Sequence, residues 1–366
     1  LRDAEAEAGE GGEGSRTVDI RLPETDGAQG YALTLPAAAL TGEAGVPLTI
    51  IVVTPLATVE LPGHMLAQTG VPAGETVTLY VEKADPAAVA SADLRERIGD
   101  RPLLNIRLMA GDTALAYDNS LAGVRVTIPY VPTEEERLNP HAVVIWYLTE
   151  DGRAVTITNG YYDEAAGTVT FVTTHFSLFA VAYNPRTFAD LAGYDWAQQA
   201  VEALAARGIV QGIKADGFGP SRPITRADMI LLIVRLLGLQ LEFEANFADV
   251  PPSAYYHDAL GMAKQAGLVQ GVGGNMARPE ERLTREDMFV LIARAAVLAG
   301  VLEPSEDLSA LDRYADRGEI SGYAQAAAAA LVRAGIIEGD GNLLKPRAYV
   351  TRAEAAAAIY CLLLRL

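Results

Sequence analysis

Three arginines stand where a helix disfavours them. Arg226, Arg285 and Arg352 sit inside Thr225-Arg226-Ala227-Asp228, Thr284-Arg285-Glu286-Asp287 and Thr351-Arg352-Ala353-Glu354. Thr225, Thr284 and Thr351 read as N-caps, with Asp228, Asp287 and Glu354 reaching back from the third helical position as a capping box. Each arginine then occupies the first helical position, where the positive end of the helix dipole disfavours a cation by about 0.3–1 kcal/mol. Making that choice three times calls for compensation. One form is an internal partner, most simply the aspartate of an upstream Phe-Ala-Asp. The other is an external anion, held by the guanidinium and the free amides of the helix start. At this point both stay open.

The tetrads belong to a repeat. Phe188-Ala189-Asp190, Phe247-Ala248-Asp249 and Tyr314-Ala315-Asp316 open the three units, and 36 residues separate each aspartate from its arginine. Trp196, Tyr255 and Tyr323 each stand 12 residues before Gly208, Gly267 and Gly335, and Gly212, Gly271 and Gly339 follow four later. Pro220, Pro279 and Pro346 each precede the arginine by six. Successive units are offset by 59 and then 67 residues, the extra length falling in 299–313, a longer surface connection.

Each unit reads as helix, loop, helix. The first helix buries a stripe such as Trp196, Ala200 and Leu204 and ends at Gly208; the second runs from Thr225 with Met229, Ile230, Ile233, Val234 and Leu237 inward. A lone helical pair cannot cover its apolar face, so the three units should pack as one body. Trp196, Tyr255 and Tyr323 serve either as core anchors or as flat walls suited to a sugar ring. Gly212, Gly271 and Gly339 supply either a positive φ or room for a ligand to approach.

These repeats resemble S-layer homology (SLH) domains, which occur in threes at one end of bacterial surface proteins. The resemblance rests on the opening Phe-x-Asp, the aromatic helix start, Gly-Ile-x-x-Gly, Asp216-Gly217-Phe218-Gly219-Pro220 and the Thr-Arg-x-acid tetrad, and covers about 186–366. It implies an all-α pseudo-trimer whose inter-repeat grooves bind pyruvylated secondary cell-wall polysaccharide, usually through a terminal N-acetylmannosamine ketal. In that family's terms Arg226, Arg285 and Arg352 bind the ketal carboxylate, and Asp190, Asp249 and Asp316 orient the arginine or accept sugar hydroxyls. Trp196, Tyr255 and Tyr323 form groove walls, with Gly212, Gly271 and Gly339 at close approach. Departures are visible: aspartate replaces glutamate at 228 and 287, Gly274-Asn275-Met276 replaces Asp-Gly-x-Phe, and Tyr314 replaces phenylalanine. Repeat 1 is the most family-like, and unequal grooves are expected.

The preceding half reads as strands over 18–22, 48–53, 76–81, 103–109, 124–130, 143–148, 155–158 and 168–173, divided by turn signals such as Asp26-Gly27 and Asn159-Gly160. Two hairpins are marked, 143–147 through Glu150-Asp151-Gly152 into 154–157, and 159–162 through 164–167 into 169–172. Strands at this spacing predict a β-sandwich, with one helix over 87–98 behind Asp85-Pro86. Glu134-Glu135-Glu136 after Thr133 reads as a solvated helix start. The run 173–181 reads as a closing strand with His175 on its polar edge. It also resembles modules found upstream of SLH triplets, and His175-Phe176-Ser177 resembles the self-cleaving site of ZU5- and GAIN-like β domains. That resemblance implies attack of the Ser177 hydroxyl on the Phe176 carbonyl, which needs a strained turn.

Composition bounds the rest. The chain has 366 residues, half of them hydrophobic, with a formal net charge of −18. This affords a real core and argues against a nucleic-acid footprint. No apolar run is long enough to span a membrane. The single Cys361 excludes an internal disulfide and reads as a small buried hydrophobe. His64, His141, His175 and His257 lack the spacing of a metal site, and no cofactor is expected. The start at Leu1 reads as a piece of a longer precursor.

The expected organisation is an acidic, disordered linker over 1–16, a mainly-β sandwich-like domain over 17–184, and SLH repeats over 186–240, 245–300 and 312–366. The expected function is non-catalytic, non-covalent anchoring of an extracellular S-layer or S-layer-associated protein to the wall. The alternatives kept open are a self-cleaving or glycan-active β domain, or lateral self-assembly in a surface lattice.

Overall fold

Period-two alternation builds the N-terminal part of the chain. In the computed structural model, which describes residues 5–10, 16–42, 47–115, 117, 119, 122–149 and 151–366, two units separate, Leu1–Pro185 and Arg186–Leu366. The first holds strands β1 (Glu5–Glu10), β2 (Arg16–Arg21), β3 (Gly30–Pro36), β4 (Leu48–Val53), β5 (Thr58–Pro62), β6 (Thr76–Lys83) and β7 (Leu103–Ala110). These continue as β8 (Thr113–Ala114), β9 (Val124–Pro129), β10 (Val143–Leu148), β11 (Ala154–Ile157), β12 (Tyr161–Asp163), β13 (Thr168–Thr173) and β14 (Leu178–Tyr183). One sheet runs β1-β2-β4-β5-β9-β13-β12; the other runs β11-β10-β14-β7-β6-β3, with β8 paired to β7.

Val77, Leu79 and Val81 of β6 and Val124, Val126 and Ile128 of β9 turn into one shared core between the sheets. The Phe171 and Phe179 rings meet across it at 5.0 Å. This is the expected sandwich, and both expected hairpins pair, β10 with β11 and β12 with β13. Strand β10 is buried at nearly every residue, the pattern of a strand covered on both faces. Helix α1 (Ala92–Ile98) packs on its neighbour β14, and Arg97 lies over the Trp146 ring.

Three expectations change here. Of the stretch 1–16, residues 5–10 form β1, antiparallel to β2; a ladder is made by backbone groups, so acidic composition does not forbid it. Residues 1–4 and 11–15 lie outside the described residues, as does Glu150. The helix expected over 87–98 is split. Asp85 caps a short 3-10 turn at Pro86–Ala88, extended Val89 breaks it, and Ser91 caps α1. Thr133 does start helix α2 (Glu134–Leu138), but Glu136 is fully buried rather than solvated. Its carboxylate accepts from the Thr133 amide, the Tyr130 hydroxyl and Arg101 Nε at 2.6–2.7 Å, so every demand of the buried charge is met.

The second unit holds α3 (Asp195–Ala206) and α4 (Arg226–Leu237), α5 (His257–Gln265) and α6 (Arg285–Leu298), and α7 (Gly322–Arg333) and α8 (Arg352–Leu363). The second helices α4, α6 and α8 pack on one another around a pseudo-threefold axis. Each first helix lies against the second helix of the preceding repeat: α5 on α4, α7 on α6 and α3 on α8. The ring therefore closes, and one apolar core runs through all three repeats. At the axis a cyclic hydrogen-bond triad joins them: Ile224 N–H to Val350 O, Val350 N–H to Leu283 O and Leu283 N–H to Ile224 O, each 2.9–3.0 Å.

Candidate functional site

Each second helix begins against the loop of the next repeat, and this contact uses up its first amides. The N–H groups of Arg226, Arg285 and Arg352 donate to the carbonyls of Glu281, Ala348 and Arg222 at 2.8–3.0 Å. Those of Ala227, Glu286 and Ala353 donate to Pro279, Pro346 and Pro220. The third amide of each helix goes to the side chain of Thr225, Thr284 or Thr351. No helix-start amide is left for the external anion considered from sequence; the guanidinium alone remains for that role.

The aspartates of the opening motif hold a loop. Asp190 accepts from the amides of Phe218 and Gly219, Asp249 from Ala277 and Arg278, and Asp316 from Leu344 and Lys345. Burial pushes the Asp190 carboxyl up, but the two amides outweigh it and hold it below the usual range. The carbonyl of the first residue in each pair faces an arginine: Arg352 Nε reaches Phe218 O at 3.0 Å, Arg226 Nε reaches Ala277 O at 3.1 Å and Arg285 Nε reaches Leu344 O at 2.7 Å. The direct Asp–Arg pair considered from sequence is thus replaced by a relay. One residue carries the aspartate on its N–H and the arginine of another repeat on its C=O.

The capping boxes are unequal. Glu354 completes one by reaching back to the Thr351 amide. Asp228 and Asp287, a methylene shorter, do not; they accept instead from the hydroxyls of Tyr255 at 2.6 Å and Tyr323 at 3.0 Å. Arg226 stands 3.7 Å from Asp287 and Arg285 stands 2.8 Å from Glu354. A junction thus draws on all three repeats, an arginine from one, an acid from the next and an aromatic from the third. Trp196 begins α3, which packs on α8 as α5 does on α4.

Trp196, Tyr255 and Tyr323 are 59%, 69% and 61% exposed, so the core-anchor alternative is replaced by an outward one, although Ala200 and Leu204 are buried as expected. Among Gly212, Gly271 and Gly339 only Gly271 has a positive φ, at 79°. A Cβ on any of the three would run into its own loop's carbonyl and the Phe188, Phe247 or Tyr314 ring. That space is filled from within the repeat. The left-handed positions that recur in all three repeats are Gly208, Gly267 and Gly335 at the ends of the first helices, and Gly219, Arg278 and Lys345 before the prolines. The junction acids Asp228 and Asp287 escaped notice as site residues; the signal was aspartate where a capping box wants glutamate.

In the first unit, Ser177 Oγ donates to the Leu148 carbonyl at 3.4 Å. The His175 ring packs edge-on to Tyr147 at 4.6 Å. None of residues 173–178 adopts a positive φ. An open cavity of about 540 Å³ is bordered by Tyr31, Tyr80, Glu82 and Asp85. Both carboxylates there are committed, Glu82 to Arg107 at 2.5 Å and Asp85 to the Ala87 amide. Among the described residues no cluster of His, Cys, Asp and Glu could hold a metal, and no helix is long and apolar enough to cross a membrane. Cys361 is half-buried at the edge of the helical core, and burial raises its thiol pKa.

The S-layer homology domain family matches residues 187–230, 246–289 and 313–356. The helical unit carries three SLH domains. Relatives include an amylopullulanase of Thermoanaerobacterium thermosulfurigenes, 32% identical over 67% of this chain and 13% of its own length. This match is longer than the SLH unit and so reaches into the β unit. The surface-layer 125 kDa protein of Lysinibacillus sphaericus is 31% identical over 52% of this chain and 16% of its own. The S-layer protein sap of Bacillus anthracis is 28% identical over 55% and 24%. The chain thus spans less than a quarter of the length of these relatives. The SLH domains and S-layer relatives support anchoring at the cell wall and indicate an extracellular, cell-surface protein.

Proposed function

We propose that the SLH unit anchors this chain non-covalently by binding pyruvylated secondary cell-wall polysaccharide at the junctions between repeats, the β unit acting as a spacer. The observation that carries the reading is the convergence, from different repeats, of a guanidinium and an exposed aromatic beside the same carboxylate. A ketal carboxylate is met by Arg226, Arg285 or Arg352 through charge-assisted hydrogen bonds. The sugar ring lies against Trp196, Tyr255 or Tyr323. Asp190, Asp249 and Asp316 act at one remove, fixing the loop whose carbonyl aims the arginine, and Gly212, Gly271 and Gly339 let that loop close. The net charge of −18 does not oppose an anionic glycan, because screening limits its reach to about 8–10 Å.

The test is co-sedimentation of the 366-residue chain with pyruvylated cell walls, and with the same walls after mild acid removes the ketal. Pelleting is expected with the first and not with the second. The triple variant Arg226→Ala, Arg285→Ala, Arg352→Ala should lose at least about tenfold in wall affinity while keeping its helical circular-dichroism spectrum. Full pelleting of a folded triple variant rejects the arginines as the anion site.

A further inference from the structure

The three junctions are related by pseudo-symmetry but differ in charge. Arg226 and Arg285 have Asp287 and Glu354 at 3.7 and 2.8 Å. Among the described residues, no carboxylate forms an ion pair with Arg352 within 4.0 Å. Its junction acid, Asp228, instead accepts from the Tyr255 hydroxyl at 2.6 Å. Arg352 spends Nε on Phe218 O and one terminal nitrogen on Gln211 O at 2.7 Å, both neutral carbonyls.

The neighbouring loop differs too. The residue whose carbonyl accepts the helix-start amide is Glu281 at one junction and Ala348 at another, but Arg222 beside Arg352. Arg222 is exposed. Its side chain lies over Gly219, with Cδ 3.0 Å from where a Cβ would stand. Gly219 follows directly on Phe218, whose carbonyl holds Arg352. Two guanidinium groups therefore border this junction. At the other two the loop cation is already engaged, Arg278 with Glu281 at 3.4 Å beside Arg226 and Lys345 with Asp340 at 2.5 Å beside Arg285.

We infer that the junction of repeats 3 and 1 is the preferred anion site, with Arg222 sharing the glycan carboxylate with Arg352. This rests on the anchoring reading above and adds which junction is used and which further residue touches the glycan. The physical cause is competition. Asp287 and Glu354 stand beside the guanidinium that an incoming carboxylate must engage, so binding there displaces or crowds an existing charge. At Arg352 no ion pair within 4.0 Å has to be broken. An anion there also relieves repulsion: burial holds the Arg352 guanidinium below its usual pKa, Asp228 opposes this, and Arg222 adds to it.

The experiment is calorimetric titration of the full chain with polysaccharide released from pyruvylated walls, and with the same material after mild acid. Arg222→Ala should weaken binding of the intact polysaccharide about three- to tenfold, and Arg222→Glu, which installs the repeat 2 residue, at least about tenfold. Lys83→Ala in the β unit removes one positive charge elsewhere and should titrate as wild type. Wild-type binding with unchanged Arg222 variants overturns the inference and leaves anchoring intact. Equal weakening by Lys83→Ala, or equal loss on acid-treated polysaccharide, also overturns it, as net charge or a contact away from the ketal. A wild-type chain that binds neither preparation overturns both readings.

Discussion

Asp190 shows how a single carboxylate can be spent on order rather than on ligand. It takes two amides of the Phe218–Gly219 loop, and the peptide it fixes presents Phe218 O to Arg352 from another repeat. Its folded pKa is depressed below the ordinary aspartate value, about 3.9. A depressed acid contributes stability that is complete above its unfolded pKa and lost as pH falls through the folded one. The SLH unit should therefore weaken below about pH 4, and Asp190→Asn should flatten that acid limb in urea titrations at stepped pH. An unchanged limb in the variant removes Asp190 as its source. The arginines could be recognised from sequence because a cation at a helix start contradicts the dipole. Their compensation could not, since it lies on the neighbouring repeat and depends on how the ring closes. The spacing of Gly212, Gly271 and Gly339 was visible as well. Its cause, a carbonyl and a ring where Cβ would sit, exists only in the folded loop.

Among the elements, α2 is the shortest of the described α-helices, yet it is pinned at its start. Glu136 joins its Thr133 cap, Tyr130 at the end of β9 and Arg101 before β7 in one buried set of hydrogen bonds. Removing one partner of such a set leaves a half-buried cation and a buried hydroxyl short of an acceptor. Glu136→Ala should thus cost the β unit about 3 kcal/mol, read as a lower denaturant midpoint for the β unit with the helical signal of the SLH unit retained. A loss below about 0.5 kcal/mol would make the cluster an ordinary surface pair. Strands with long alternation or turn signals, β6, β9, β10 and β13, could be read from the chain. Strand β3 could not so easily, although Tyr31, Leu33 and Leu35 alternate behind Asp26-Gly27, because alanine and threonine dilute the pattern. Nor could β1, whose pairing is a property of the free edge of β2 rather than of its own acidic residues.

At the scale of the molecule, the helical unit is a closed ring rather than three units in a row. Helix α3 has α8 as its partner, and the axial triad needs Ile224, Leu283 and Val350 together. A chain ending at 311 loses both, so its helical unit should show no cooperative thermal transition by circular dichroism. A sharp transition in that truncation would mean that two repeats suffice. Closure has a mechanical consequence for a surface protein held against a wall. Tension entering at residue 186 passes through α3, and α3 lies on α8, whose first residue is Arg352. With the glycan held at Arg352, as proposed above, that tension crosses one helix–helix interface, which the remaining repeats brace from the sides instead of being unwound one after another like beads on a string.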